Sequence, residues 1–501
     1  MTSLLYLLFS AHALLLQPAP EGTQLNVRLT SAVGSFASKP GAPISGVVIA
    51  PVVVDGRTLI PAGTLVAGKV KSVTRVGFGV FHERAALRLV FDHLELPDGD
   101  PFPFSSQVIE VDNARERVTS NGLIQGIRST GSISYRVSGY VRTALLWDVH
   151  AEMAEWAIKS LLVQLPEPEI YYPPGTELAL KLTKPLVVPN PLDTDNDPGQ
   201  LAQNDLQDLR ALISHMPLRT QDPETDRASD PTNVLLIGNR AEISQAFQAA
   251  GWMEAQPDNI RTRIQCIRAA AESRGFSGAP MSTLLLNGAD PDMSWVKSLN
   301  DLSKRHHIRI WKQPGLWYGQ ELWIAAATQD IDFAYMRPGR PFTHEIHPRI
   351  DQERDKVVND LAFTSCARPI DLAQRANLPR LTRNATGDPI GTDGRMAVVE
   401  LTGCPSPQLA STTQDGPELR SRGNKWHRFA RREIIITRND FLRTNIYYRS
   451  YEASRWAVNY VRYRRRKASE FRTLRAEFGP PGSSKPETKQ RTSGLALQTL
   501  R

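Results

Sequence analysis

Residues 60–70 read Ile-Pro-Ala-Gly-Thr-Leu-Val-Ala-Gly-Lys-Val, and residues 172–182 repeat the pattern as Tyr-Pro-Pro-Gly-Thr-Glu-Leu-Ala-Leu-Lys-Leu. In each phrase proline fixes φ and glycine supplies a positive φ, which predicts a tight turn. Apolar side chains recur at every second position after each turn, which predicts a strand with one buried face. The two phrases therefore indicate a fold in which similar turns lead into similar strands.

Residues 24–186, which contain both phrases, read mostly as short strands separated by glycine, proline and aspartate. Examples are the apolar stretches at residues 44–49 and 87–91, and the turn at residues 97–99. Regularly spaced short strands with such turns predict a β-rich, barrel-like domain. Residues 142–164 are an exception, because alanine, leucine and tryptophan recur there at helical spacing and predict an amphipathic helix.

Three segments of this region resemble the C-terminal barrel of TrbI-type conjugation and secretion-channel proteins. They are residues 61–64, the strand that leads to residues 96–99, and residues 174–176. The resemblance implies a β-barrel fold over about a third of the chain. A place in a secretion channel does not follow from it, since one fold hosts many functions.

After residue 186 the sequence becomes rich in Pro, Asp, Asn and Gln. This composition predicts a linker that extends to residue 229 and contains one helix at residues 201–215. Residues 230–410 then alternate between strand and helix patterns in the order β-α-β-β-β-α-β, which predicts an α+β, sandwich-like domain. The chain as a whole is therefore predicted to be α+β. The predicted elements are strands 234–238, 281–286, 306–311, 322–328 and 396–401, and helices 242–251 and 351–361.

One predicted strand, residues 305–311, reads Arg-His-His-Ile-Arg-Ile-Trp and alternates strictly. On a strand, His307, Arg309 and Trp311 share one face, and the residues between them share the other. Arginine offers two parallel donors and histidine a titratable one. We therefore expect this face to line a site for an anionic group.

Further candidate residues follow at His344 and in the predicted helix 351–361. Asp351, Arg354 and Asp355 fall on one helical face. A helix with internal ion pairs is the more common cause of this pattern, and a catalytic acid cluster is the alternative. In a catalytic site, His307 or His344 would act as general acid or base, Arg309 would clamp an oxyanion, and a carboxylate would orient the histidine.

The same region resembles the LssY-like C-terminal domain of bacterial proteins. The resemblance runs in order from residue 230 to residue 361, and in some relatives the domain follows membrane segments related to lipid phosphatases. The family has no established reaction, so the resemblance implies a domain without a chemistry. The matching segments are residues 230–234, 237–238, 250–252, 280–282, 305–311, 326–330, 343–344, 351 and 353–355.

The N-terminal residues 4–16 are apolar apart from Ser10 and His12. This stretch is shorter than the roughly 20 residues that cross a bilayer, and it predicts a signal peptide over residues 1–19. No Lys or Arg precedes it, so a first strand or a buried helix is the alternative. The signal peptide would make the protein exported, periplasmic or envelope-associated.

The chain contains 3 cysteines without a C-x-x-C pair, a count that does not support a zinc ribbon or a thioredoxin motif. In an oxidising compartment Cys366 and Cys404 are the better candidates for a bridge, because both lie in one late region. The alternative is that all three are small buried apolar residues. His344 and His347 could act as a metal pair, but two histidines three residues apart are a weak motif.

The formal net charge is +8, and Arg and Lys are concentrated in residues 411–475, where they are interleaved with Trp, Tyr and Phe. A helix is predicted at residues 440–467, and residues 476–501 are predicted to be a disordered tail. Nucleic acid is an unlikely partner for an exported protein, so an envelope protein or an anionic membrane surface is expected. Docking of this helix on the C-terminal domain by its aromatic side chains is the alternative.

Two functions are compatible with these patterns. The first is an exported cell-envelope protein that serves as a binding or adaptor module, favoured because no complete catalytic set can be assembled. The alternative is a hydrolase or phosphate-handling enzyme that uses His307, Arg309, His344, Asp351, Arg354 and Asp355. Neither a G-x-S-x-G elbow nor a P-loop occurs in the sequence. The sequence indicates no cofactor, substrate or oligomeric state.

Overall fold

The structure is a computed structural model, and it describes residues 18–55, 57–77, 83–97, 99–128, 130, 167–188, 202–337, 340–404, 434–435, 437–439, 441–442 and 445–480, with the side chains of residues 335–342 left aside. The predicted helix at residues 142–164 lies outside these residues. So do residues 1–17 of the predicted signal peptide, residues 405–433, and the tail after residue 480.

The N-terminal domain consists of β-strands among its described residues. Nine of them form one antiparallel sheet, and two small two-stranded ribbons, β2 with β12 and β4 with β5, lie beside it. The strands are β1 (Gln24–Leu29), β2 (Val33–Gly34), β3 (Pro43–Val48), β4 (Val52–Val54), β5 (Arg57–Ile60), β6 (Leu65–Thr74), β7 (Ala86–Glu95), β8 (Phe102–Pro103), β9 (Ser106–Val111), β10 (Arg117–Val118), β11 (Leu123–Gln125), β12 (Tyr171–Tyr172) and β13 (Glu177–Leu182).

The large sheet curls into a nearly closed barrel. Its strands follow the order β10-β11-β7-β6-β3-β1-β13-β9, with β8 beside β7, and the two end strands β9 and β10 lie next to each other. Side chains alternate between core and solvent along β1, where Leu25, Val27 and Leu29 are buried. The period-2 pattern thus places one apolar face inside the barrel, which confirms the predicted β-rich domain.

The two repeated phrases adopt the same turn. Gly63 and Gly175 have φ values of 92° and 90°, a region that favours glycine. The hydroxyls of Thr64 and Thr176 each donate to the carbonyl of the proline three residues earlier, at 2.8 Å in both turns. Each turn leads directly into a barrel strand, β6 or β13, as predicted.

The C-terminal domain is a mixed sheet with helices on both faces. Its strands pair in the order β17-β18-β19-β20-β16-β25-β22, with β21 beside β20, and only β16 and β25 run parallel. The elements are α1 (Gln203–Ser214), β14 (Arg219–Gln221), β15 (Ala228–Pro231), β16 (Val234–Ile237), α2 (Arg240–Ala249), β17 (Met253–Glu254), α3 (Ile260–Ala271), β18 (Met293–Lys297), β19 (Arg305–Trp317), β20 (Gln320–Arg337), β21 (Arg340–Ile346), α4 (Ile350–Phe363), β22 (Ala367–Gln374), β23 (Leu381–Arg383), β24 (Pro389–Gly391) and β25 (Arg395–Leu401).

The two faces of this sheet carry separate apolar cores. Helices α2 and α4 cover the face that presents Ile308 and Ile310. Helix α1 covers the other face, where its Leu209 and Ile213 pack near Trp311. The predicted α+β class is confirmed, and the helix expected inside a linker is part of the second core.

Residues 281–286 do not form the predicted strand. Leu284 and Leu286 are buried, but the backbone there makes only isolated bridges, at Leu285 and Leu286. The strand that pairs with β19 is instead β18, whose apolar pattern is too short to distinguish a strand from a helix.

A disulfide joins Cys366 and Cys404. The bridge connects the segment before β22 to the segment after β25, two strands that are antiparallel neighbours in the sheet. The preferred pairing is thereby confirmed, and Cys266 is a free, half-buried thiol on α3.

A long helix, α5 (Ile446–Phe478), follows at the end of the described chain and contacts both domains. Near its start, Glu452 pairs with Arg128 of the barrel domain at 2.6 Å. Towards its end, Glu477 pairs with Arg349 at 2.6 Å, and Phe478 is buried. The predicted helix is confirmed and is longer than expected. Among the described helices, none has a run long and apolar enough for a transmembrane segment.

Candidate functional site

The strand β19 places Arg305, His307 and Arg309 on the face of the sheet that also carries Trp311, as the alternation predicted. Across from them on β20 lies Asp330, which accepts a hydrogen bond from Arg305 Nε at 2.8 Å. Its other oxygen lies 2.9 Å from His307 Nε2, and His344 Nδ1 on β21 lies 3.5 Å from the first. We call Arg305, His307, Asp330 and His344 the Asp330 cluster.

Burial sets the charges of this cluster. Burial alone would raise the pKa of Asp330, but His307, His344 and Arg305 outweigh it and hold that pKa far below its usual range. Desolvation lowers the pKa of His344 to about 4, against the opposing attraction of Asp330. His344 is therefore neutral at pH 7, and at 23% side-chain exposure it connects the cluster to the surface.

Thr328 completes a sequence of groups that resembles a catalytic triad. Its hydroxyl lies 3.2 Å from His307 Nδ1 and 3.3 Å from Nε2, and His307 in turn contacts the Asp330 carboxylate. However, Thr328 is fully buried, and His307 and Asp330 are nearly so. A substrate could reach the Thr328 hydroxyl only if the residues that bury it moved. A nucleophile must contact the carbon or phosphorus atom that it attacks.

Arg309, the predicted oxyanion clamp, is also buried. Its Nη2 and Nε donate to the carbonyl of Ser282 at 2.8 Å and 3.1 Å, and its Nη1 lies 3.8 Å from an Asp230 oxygen. Burial raises the pKa of Asp230, while Arg309 and His307 oppose this. The guanidinium therefore fixes the segment around Ser282 and β15 against the sheet.

The acidic face of α4 forms a second, separate cluster. Arg354 Nε pairs with Asp355 at 2.8 Å, and Arg354 Nη1 pairs with Asp393 at 2.8 Å. Asp351 accepts the Thr392 hydroxyl at 2.7 Å. Helix α4 packs on the Ile308 face of the sheet, so Asp351, Arg354 and Asp355 do not join His307, Arg309 and His344.

The suggested metal pair is not assembled. His347 Nδ1 contacts the backbone of Arg349, at 3.3 Å from both its nitrogen and its oxygen, whereas His344 belongs to the Asp330 cluster. Within the described part of the chain, no three His, Cys, Asp or Glu side chains are placed to hold a metal ion.

A third cluster, which the sequence patterns did not reveal, lies between the two domains. Glu177 of β13 accepts hydrogen bonds from Arg28 at 2.8 Å and Lys297 at 2.7 Å, and lies 2.8 Å from Lys356 Nζ. Asp360 of α4 binds the same two lysines, at 2.8 Å and 2.6 Å. We call these five residues the interdomain network.

Both carboxylates of the interdomain network remain ionised. Burial would raise the pKa of Glu177, but Lys297, Lys356 and Arg28 hold it well below its usual range. The pKa of Asp360 is lowered by Lys297 and Lys356 in the same way, against its burial. Removing one partner would leave buried charges uncompensated, which is the costly case for such networks.

His306 extends this contact between the domains. Its Nε2 lies 2.8 Å from Asp112 of the barrel domain, and its Nδ1 lies 2.6 Å from Glu353 of α4. Burial opposes protonation, yet the two carboxylates raise the pKa of His306 to about 10. His306 is therefore a buried cation at neutral pH. Its partner Asp112 is 194 residues away, and no local pattern could have indicated it.

One family model matches part of this chain. Residues 214–396 match the family model described as LssY C-terminus. Among solved structures, the chain is similar to ComB10 of the Com type IV secretion system of Helicobacter pylori, with 12% identity, a TM-score of 0.20, and coverage of 36% of this chain and 94% of that chain. No curated protein matches the sequence. The C-terminal domain of this chain is therefore the part that matches the LssY C-terminus family, over residues 214–396.

Proposed function

We propose that this protein is an exported, envelope-associated binding module, and that it contacts an anionic membrane surface through α5. The observation that carries the proposal is a stripe of exposed side chains on that helix. Tyr447, Tyr451, Val458 and Val461 are 83%, 52%, 48% and 47% exposed. Their spacings of four, seven and three residues place them on one helical face.

The charges around this α5 stripe suit an anionic surface. Arg464 and Arg465 are exposed within one turn of Val461. Tyrosine rings favour the headgroup level of a bilayer, and each Lys or Arg near anionic lipid adds about 1 kcal/mol. An apolar stripe flanked by cations is typical of a helix that lies in the membrane interface.

The remaining observations fit an exported module that acts as one body. The Cys366–Cys404 disulfide suits an oxidising compartment, because cytosolic thiols are kept reduced. The interdomain network and the contacts of α5 with both domains hold the barrel and the C-terminal sheet together. An adaptor needs such a fixed geometry between its contact surfaces.

Co-sedimentation of the full chain with phosphatidylglycerol vesicles tests this proposal. We expect salt-sensitive binding that falls at least tenfold when Tyr447→Ser and Val461→Ser are combined. Tyr318→Ser is the matched control, since Tyr318 is 72% exposed but lies in the turn between β19 and β20. Equal binding by the double variant and the unaltered protein would refute the membrane contact.

A hydrolase or phosphate-handling enzyme is the second candidate, favoured by one observation. His344 is neutral at pH 7, reaches the surface, and lies beside the ionised Asp330. A panel of phosphomonoesters and phosphodiesters tests this function. Activity that survives His93→Gln, an exposed histidine in the barrel, but is lost in His344→Gln would support it.

In that enzyme, Arg309→Ala should reduce activity by on the order of 1.5–3 kcal/mol of transition-state stabilisation. If Arg309 only fixes the Ser282 segment, the variant will lower the free energy of unfolding instead. Absence of turnover for every ester in the panel, together with the expected vesicle binding, favours the binding module.

A further inference from the structure

A groove of about 650 Å³ lies between the barrel domain and α5. One wall is formed by β9, β10 and residues between them, the other by α5, and Lys304 also lines the groove. Cavities of roughly 300–1,000 Å³ commonly hold small ligands. The lining side chains belong to Ile109, Glu110, Val111, Arg115, Glu116, Arg117, Val118, Lys304, Asn459, Arg462, Tyr463 and Arg466.

The groove carries more positive than negative charge. Five of its lining residues are Arg or Lys and two are Glu, which gives a net charge of 5 − 2 = +3. Glu116 is already engaged, because it accepts from Arg115 Nε at 3.1 Å and from Asn300 Nδ2 at 2.9 Å. Its negative charge is therefore largely compensated within the wall of the groove.

Three arginines remain available to a ligand. Arg117 lies exposed on β10, and Arg462 and Arg466 lie one helical turn apart on α5. Arg466 has a loose contact with Glu470, whose carboxylate lies 3.5 Å away on the exposed helix surface. Arginine pairs bidentately with phosphate, and cations on two opposing walls can bind one phosphate group from both sides.

The barrel wall of the groove is partly apolar. Ile109 and Val118 are half-buried and Val111 is buried, and Tyr463 faces them from α5. A simple inorganic anion would leave these side chains unused. A ligand with a phosphate group and an adjoining apolar part would fill both halves of the groove.

We propose that this groove binds a phosphate-bearing amphiphile, with its phosphate between Arg117 of the barrel and Arg462 and Arg466 of α5. The ligand that we assign is a lipid, whose headgroup supplies the phosphate and whose chains supply the apolar part. The inference goes beyond the proposed membrane contact, because the α5 stripe and the groove use different side chains of the helix.

Isothermal titration calorimetry of the full chain tests the groove. The probes are inorganic phosphate and dihexanoyl phosphatidylglycerol below its micelle concentration. We expect saturable binding of the short lipid at one site, and at least tenfold weaker binding of inorganic phosphate. Equal affinity for the two probes would show that only the anion is recognised and would overturn the amphiphile.

Charge reversals on both walls identify the site. Arg462→Glu and Arg117→Glu should each weaken lipid binding at least tenfold, whereas Arg465→Glu on the same helix, outside the groove, should change it less than twofold. Arg462→Gln removes the positive charge without adding a negative one. Thermal melting of each variant shows whether a loss of lipid binding is caused by misfolding. Equal losses in Arg462→Glu and Arg465→Glu, or no saturable binding of either probe, would overturn the proposal.

The two proposals fail independently. The Tyr447→Ser and Val461→Ser pair should reduce vesicle sedimentation but leave titration with the soluble lipid unchanged. Titration with the short lipid that succeeds without vesicle binding would refute the membrane contact alone. Vesicle binding without saturable titration of the short lipid would refute the groove alone.

Discussion

Two adjacent histidines on β19 lie in opposite surroundings. His306 points to the side of the sheet covered by α4, where it meets Glu353 and Asp112 of the other domain. His307 points to the side covered by the Ser282 segment, where it meets Asp330 of its own domain. One strand thus uses its two faces for two different purposes.

The difference lies in what each buried cluster connects. The His306 face connects two domains through charges that come from distant parts of the chain. The His307 face connects neighbouring strands and keeps one partly exposed member, His344. Each cluster has one partly exposed member, Asp112 at 22% and His344 at 23% side-chain exposure.

The largest effect is expected on the interdomain face. Asp360→Ala removes one of two carboxylates that compensate Lys297 and Lys356, and should lower the free energy of unfolding by about 3–5 kcal/mol. Urea denaturation measures this. Asp258→Ala, which breaks an exposed ion pair, is the control and should have a much smaller effect. Equal losses of unfolding free energy in the two variants would show that the interdomain network stabilises the fold no more than an exposed ion pair does.

A smaller effect is expected on the other face. Asp330→Asn keeps the shape but removes the charge that pairs with Arg305 and His307. The expected loss is about 2–3 kcal/mol, because hydrogen bonds to charged groups are lost or weakened. Because the two domains unfold as one body, amides of β13 and β19 should lose protection together. Loss of protection confined to the C-terminal strands would contradict this expectation.

The pH dependence should separate the faces by sign. The pKa of His306 is raised to about 10, so its stabilisation is complete below its unfolded pKa near 6.5 and is lost as pH rises through 10. Between pH 8 and 9.5 we expect a loss on the order of 2 kcal/mol, which His306→Gln should abolish. An unchanged pH slope in that variant would rule out His306 as the source.

The pKa of His344 is lowered to about 4, so its contribution has the opposite sign. The folded protein resists protonation that the unfolded chain accepts, and stability should fall as the pH drops from about 6.5 to 4. His344→Gln should reduce the loss of unfolding free energy below pH 6.5. It should leave the loss at alkaline pH, which is assigned to His306, unchanged.

The smallest effect is expected at Thr328. Thr328→Val removes one buried hydroxyl near His307 and should cost about 1 kcal/mol of folding stability. Any ester hydrolysis should be unaffected, because the hydroxyl is fully buried. Complete loss of a measured activity with little change in stability would identify Thr328 as a nucleophile.

Much of the local structure could be predicted from sequence, because alternation places side chains without reference to partners. The pattern at residues 305–311 correctly separated His307, Arg309 and Trp311 from Ile308 and Ile310. It could not identify which polar face would meet another domain. Lys297 and Glu177, for example, are 120 residues apart.

The failed strand at residues 281–286 has a related cause. Apolar residues such as Leu284 and Leu286 indicated burial correctly, but burial does not require a strand. The carbonyl of Ser282 bonds to the Arg309 side chain rather than to a neighbouring backbone. A side-chain partner of this kind leaves no periodic signal in the sequence.

We infer from the interdomain network that the barrel and the C-terminal sheet unfold as one body. Hydrogen–deuterium exchange of the full chain in increasing urea, read at amides of β13 and of β19, measures whether they do. We expect one shared midpoint in the unaltered protein and two separate midpoints in Asp360→Ala. Loss of protection in β13 at a lower urea concentration than in β19 of the unaltered protein would contradict it.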